Sequence, residues 1–168
     1  MAAERKRVII SACLLGVNCN YKGSASADYL QGPFFSGRLA EKFELIPVCP
    51  EQLGGMSTPR IPSELTAKAG EVISGSGKLV SREGADVTAC FLKGGAEVLR
   101  MARLLRADFA VLKSRSPSCG KKNVYDGTFS GVLVEGPGIT AQMLMDAGFM
   151  VCDELEFLEL FDGTDLGV

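Results

Sequence analysis

Four apolar runs in this chain each close on a cysteine: RVIISAC (residues 7–13), FELIPVC (43–49), FAVLKSRSPSC (109–119) and FMVC (149–152). Short apolar runs bounded by turn residues are the pattern of strands buried on both faces. Between them lie segments of helical spacing. The longest, residues 84–107, places Val87, Phe91, Val98, Met101, Leu104 and Leu105 on one stripe and predicts a long helix, with a break expected at Gly94 and Gly95. ITAQMLMDAG (139–148) predicts a second helix, capped by Thr140 and stopped by Gly148, and SGRLAEKF (36–43) a third. Strand and helix in alternation call for an α/β fold, a Rossmann-like open and mainly parallel sheet with flanking helices. Two Gly-rich insertions depart from the alternation: GEVISGSGKLVSREGAD (70–86) reads as a hairpin on SGSG, and VYDGTFSGVL (124–133) as a short irregular strand pair. With no linker and no internal repeat in 168 residues, the expectation is a single domain over residues 1–168.

Open parallel sheets bind ligands just beyond the carboxyl ends of their strands. Cys13, Cys49 and Cys119 all stand at that end, so three distant thiols meet on one sheet edge if their strands are neighbours. Cys19 is a possible second ligand in the first loop, Cys152 an outside candidate, and Cys90 a core residue of the long helix. The chain contains no histidine, which removes the commonest general base and metal ligand. Thiolates without histidine select zinc or an iron–sulfur cluster, and no CxxC pair of the kind structural zinc favours occurs. A cubane held by three thiolates keeps one iron open as a Lewis acid.

Three blocks surround these thiols. In SACLLGVNCNYKG the ligand candidates are Cys13 and Cys19. In IPVCPEQLGGMSTPRIPSE, Pro50 ends the strand and Glu51 projects from the mouth of the site, placed to act as a general base on water. Gly54 and Gly55 allow close backbone approach to a ligand, and Arg60 can reach a carbonyl or anion, or pair with Glu64. In KSRSPSCGKKNVYDGTFSG, the hydroxyls of Ser114, Ser116 and Ser118 stand beside Cys119. A nucleophilic serine here would need Lys113 or Lys121 as its base, because a Ser–His pair is excluded. No dinucleotide or P-loop pattern is present.

Taken together, SACLLGVNCNYKG, PVCPEQLGGMSTPR, DVTACFLKGGAEVL, KSRSPSCG and YDGTFSG, in this order, resemble the thiouracil desulfidase (TudS-like) family, catalogued as domain of unknown function 523. The resemblance runs from about Val8 to Glu154. It implies an iron–sulfur-dependent enzyme with a 4Fe-4S cluster on Cys13, Cys49 and Cys119 and an open iron that binds the sulfur of a thiolated pyrimidine such as 2-thiouracil. Glu51 falls on the family's catalytic glutamate and Ser116 on its catalytic serine. Ser114, Ser118, Gly54, Gly55 and Arg60 complete the expected substrate-binding set. The implied reaction is hydrolysis of C=S to uracil and hydrogen sulfide without net electron transfer. Asn20 and Lys22 stand where arginine and an acid are common in the family, and Cys152 where a non-thiol is usual.

The rival expectation is a non-catalytic sensor module whose cluster has four thiolate ligands, with Cys152 a candidate for the fourth. A net charge of -2 provides no basic field for a phosphate backbone, so a small molecule rather than nucleic acid is the expected partner. The amino-terminal apolar run is too short to span a bilayer, and the expected setting is cytoplasmic, with no membrane partner.

Overall fold

The computed structural model describes residues 5–26 and 38–162. Strand β1 (Lys6–Ser11) runs into a single 3-10 turn, Ala12–Leu15. Helix α1 (Arg38–Lys42) leads into β2 (Phe43–Val48), and α2 (Pro50–Leu53) follows at once. Strand β3 (Ser63–Leu65), helix α3 (Ala69–Ile73) and strand β4 (Leu79–Ser81) precede the long α4 (Thr88–Leu104). Then come β5 (Phe109–Leu112), β6 (Asn123–Tyr125), β7 (Leu133–Glu135), α5 (Ile139–Asp146), β8 (Met150–Asp153) and α6 (Glu154–Asp162).

The four apolar runs form one parallel sheet in the order β2-β1-β5-β8. Its register aligns Val8 with Leu45 on one side and with Phe109 on the other. Val8, Ile9 and Ile10 are fully buried, as a central strand covered on both faces requires. Side chains alternate across the sheet. Ile9, Ala110, Leu112 and Val151 meet Val98 and Ala102 of α4 and Ala141 and Leu144 of α5. Val8, Ile10, Val111 and Cys152 face the other way, toward Leu14, Leu39 of α1 and Phe157 of α6. On that side Phe43, Phe109 and Phe157 group with ring centroids 5.8–6.1 Å apart. Helices on both faces of a parallel sheet make the expected Rossmann-like α/β architecture.

Three local expectations are corrected. Residues 70–86 are not a hairpin: their first arm is α3, one turn that buries Ala69 and Val72 at helical spacing, and β4 instead pairs antiparallel with β3. One turn is too short for its period to stand out in sequence. Helix α4 runs unbroken through Gly94 and Gly95, because tertiary contact rather than a bend demands them. A Cβ at Gly94 would lie 2.0 Å from the Pro50 carbonyl oxygen. Thr140 is no cap; Gly138 holds that position, and the Thr140 hydroxyl is buried against Ser118. The strand pair expected at 124–133 is present as β6 and β7, and α1 falls within the third expected helix, whose residues 36 and 37 lie outside the described residues.

Candidate active site

Adjacency of β2, β1 and β5 brings their carboxyl ends together at a cleft of about 920 Å³. Four thiols line it: Cys13 in the 3-10 turn after β1, Cys19 in the loop beyond, Cys49 between β2 and α2, and Cys119 at the end of the loop after β5. Cys49 is pinned by chain chemistry. Its extended backbone caps α2, Pro50 fills the first helical position where no N–H is needed, and Glu51 occupies the first turn.

Cys19 is almost fully buried and binds both neighbours. Its hydrogen bond is the largest influence on each, drawing Cys13 down to about 7 and lowering Cys49 as well, against the opposing effect of burial. The same two bonds push the Cys19 thiol up, so it stays protonated between two thiolate-prone partners. Cys119 behaves differently: burial raises it first, and the negative charge of Glu51 adds to that. A hydrogen bond from Ser11, whose oxygen accepts the Lys113 N–H at 2.9 Å, opposes the rise. Among the described residues, no three His, Cys, Asp or Glu side chains are gathered as the ligands of a single metal ion.

Glu51 is 7% exposed and serves as the hub of the polar groups. Its Oε2 lies 3.7 Å from the Arg60 guanidinium and accepts the Cys49 thiol at 3.5 Å. Its Oε1 accepts the Ser116 hydroxyl at 3.4 Å. Ser116 Oγ in turn accepts the backbone N–H groups of Ser118 and Cys119 at 3.2 and 3.1 Å, so one hydroxyl organises the turn and presents its proton to the carboxylate. Arg60 donates to the Cys19 carbonyl at 3.0 Å and approaches Cys49 Sγ at 3.9 Å, which ties the loop of the second block to the first. The choice left open for Arg60 resolves toward Glu51 rather than Glu64.

Other expected substrate groups are placed differently. Ser118 is fully buried and shares a 2.8 Å hydrogen bond with Thr140, away from the cleft lining. Gly54 meets α4, where a Cβ would stand 2.0 Å from the Cys90 carbonyl oxygen, and Gly55 takes a positive φ of 96° in the next turn; neither lines the cleft. Ser114 does line it, but its hydroxyl donates to Glu154 at 2.7 Å. Lys113 also pairs with Glu154 at 2.7 Å, and Lys121 with Glu156 at 2.9 Å, so neither lysine is turned to Ser116 as a base. Cys152 sits on the opposite face of the sheet from Cys119, its thiol 3.5 Å from the Ala110 carbonyl and raised by burial to about 12. Cys90, expected in the core, is half-buried on α4. Asn20 forms a turn of its own, its side-chain Oδ1 accepting the backbone N–H groups of Lys22 and Ser24, and both Asn20 and Lys22 line the cleft.

Sequence reasoning missed Glu154 altogether and read Glu64 only as a partner for Arg60. Glu154 is wholly buried; burial by itself would raise its carboxyl, yet bonds from Lys113 and Ser114 hold it below its ordinary value. Glu64, also buried, accepts the N–H groups of Gly127 and Phe129. Isolated carboxylates carry no spacing signal, and their partners stand 40 residues away for Glu154 and 63 and 65 for Glu64.

Residues 8–156 match the 2-thiouracil desulfurase family. A protein of Bacillus subtilis (strain 168), the uncharacterized protein YbbK, is 39% identical over 155 residues, covering 91% of this chain and 99% of YbbK. The solved structure of a 4Fe-4S-dependent thiouracil desulfidase, TudS (DUF523), is similar with a TM-score of 0.82 and 33% identity, over 95% of this chain and 97% of that one.

Proposed function

Because the chain belongs to the 2-thiouracil desulfurase family, we propose that it is a 4Fe-4S-dependent desulfidase that hydrolyses the C=S bond of a thiolated pyrimidine such as 2-thiouracil. The donor set fits the cluster. Cys13, Cys49 and Cys119 bring three thiols to one cleft, and they are not grouped as the ligands of a single ion. These three would hold the cluster, with two of them already inclined to the thiolate form that ligation needs. When bound, the cluster supplies a Lewis acid at the iron that carries no protein ligand, and it takes no net electron from the substrate.

The chain's own groups then supply the proton chemistry. Glu51 accepts a proton from the attacking water as its oxygen adds to the thiocarbonyl carbon. Ser116, which already directs its O–H at Glu51, gives its proton to the ring or the departing sulfur and takes the water's proton back from Glu51. Arg60, 3.7 Å from its Oε2, holds Glu51 in place. The C–S bond breaks, sulfur leaves as hydrosulfide, and the sum is substrate plus water giving uracil plus hydrogen sulfide. One observation carries this reading: the carboxylate, the hydroxyl and the thiols share a single cleft, with Glu51 in hydrogen-bond contact with both Cys49 and Ser116. The partner we assign is a small molecule. A cytoplasmic setting is proposed because all six cysteines are free thiols, as a reducing compartment maintains them. Among the described residues no helix is long and apolar enough to cross a membrane.

Protein reconstituted without oxygen is expected to carry about four iron and four acid-labile sulfide per chain and to release uracil and sulfide from 2-thiouracil. Loaded protein that leaves 2-thiouracil intact would overturn the proposal.

Cys19 gives the sensor reading its one support, since a fourth thiol lies against Cys13 and Cys49. Cys152, on the far face of the sheet, does not serve it. Cys19→Ser separates the two: full iron content with activity favours the enzyme, whereas loss of the cluster favours a four-thiolate centre.

A further inference from the structure

The loop between β6 and β7, residues 126–132, closes one side of the cleft: Phe129 and Gly131 line it beside Tyr125 at the end of β6. The loop lies tight against β3. At Gly127, with a φ of 88°, a Cβ would come within 2.6 Å of the Leu65 carbonyl oxygen. From β3, the buried Glu64 receives two backbone donors on one oxygen, Gly127 N at 2.9 Å and Phe129 N at 3.0 Å. The second donor belongs to a residue in an unusual conformation. Phe129 has a φ of 56°, the left-handed region that a bulky side chain adopts only when its surroundings impose it. A loop that needed only to turn would place Gly or Asn there. Here an aromatic ring is held in that conformation, half-buried in the cleft wall. The Arg82 guanidinium stands 5.8 Å from its centroid and braces it. Phe91, 2% exposed, packs in the core behind the same cleft wall.

We infer that Phe129 is the residue on which the substrate's heteroaromatic ring stacks, and that Glu64 is a positioning residue that fixes this platform through the loop backbone. The inference rests on the desulfidase reading for the identity of the ring. Every base has a flat π face, so stacking recognises the ring itself, while the groups around Glu51 act on its C=S. Glu64 contributes hydrogen-bond acceptance, which a neutral amide oxygen at the same place retains. Strain at Phe129 is thus offset by two hydrogen bonds and one guanidinium contact, all outside the reacting groups.

The test uses the full chain loaded with its cluster. Iron and sulfide content, KM and kcat for 2-thiouracil, and the calorimetric Kd for uracil are measured for wild type, Phe129→Ala, Phe129→Tyr, Glu64→Ala and Glu64→Gln. Loss of a stacking aromatic corresponds to roughly a tenfold or greater weakening. Phe129→Ala is expected to raise KM and the uracil Kd by about that factor with iron content and kcat near wild type, while Phe129→Tyr stays close to wild type. Glu64→Ala should reproduce the rise in KM, and Glu64→Gln should restore it, a rescue that a general loss of fold would not show. An unchanged KM in Phe129→Ala, or a fall in kcat alone, overturns the inference. Should loaded wild type leave 2-thiouracil intact, the functional reading fails separately. The platform then stands or falls on uracil: tighter binding by wild type than by Phe129→Ala supports it, and equal or absent binding overturns it.

Discussion

Ser116 satisfies two amides of its own turn and still has a proton to present to Glu51, so one side chain builds the loop and is free for the chemistry we propose. Ser114 and Ser118, two positions to either side, spend their hydroxyls on Glu154 and Thr140. The three serines are equivalent in sequence and distinct in space. Glu51→Gln is expected to keep the cluster and lower kcat by roughly 10²- to 10⁴-fold, the usual worth of a positioned general base; iron analysis beside steady-state rates checks this, and wild-type turnover would remove the role from Glu51. Substituting Ala for Cys13, Cys49 or Cys119 should abolish both cluster absorbance and activity. Cys152→Ala should spare both, because that thiol lies across the sheet in the apolar layer with Phe109 and Phe157.

At the scale of elements, the position of Glu51 depends on how closely α2 meets α4. Gly54 and Gly94 let the two backbones touch: a Cβ on either would collide at 2.0 Å with a carbonyl oxygen of the other. Backbone cannot move aside as a side chain can, so Gly94→Ala should lower stability by about 1–3 kcal/mol and displace Glu51. Gly95→Ala is the control, since its Cβ would meet the Met143 sulfur, which a flexible thioether can withdraw; urea midpoints should rank Gly94→Ala well below it. The junction of β8 and α6 supplies a second lever. Glu154 has a lowered carboxyl in the folded state, held by Lys113 and Ser114. Its stabilisation is therefore fully present above the unfolded carboxylate range and is lost as pH falls through the lowered native value. Glu154→Gln should cost about 2 kcal/mol near neutrality and flatten the acid limb of the unfolding midpoint plotted against pH. A limb as steep as wild type would show that other carboxyls govern it.

For the whole molecule, the cluster ligands proposed at positions 13, 49 and 119 would join the ends of three strands that meet only in the folded sheet. A group bound by the native state and not by the unfolded chain stabilises by mass action. Loaded protein should melt above the cluster-free form, and as the single domain we propose for residues 1–168, in one transition; equal midpoints would mean that the cluster is not bridging the three strands. Much of this architecture is local information. Strands buried on both faces write themselves as unbroken apolar runs, and the long helix as a stripe, so the parallel α/β fold and the thiols at its strand ends were legible. So was the break that Pro50 makes before Glu51. The order β2-β1-β5-β8 was not, because it depends on contacts such as Val8 with Phe109, about a hundred residues apart. Only that order decides that the three thiols share a cleft. Strand parity then puts Cys152 on the other face, and the buried carboxylates of Glu64 and Glu154 find backbone donors that no sequence window contains. Local patterns determined the elements and the kinds of atoms available. Long-range packing decided which of those atoms meet, since direction and distance across a sheet or between loops are properties of the assembled layers.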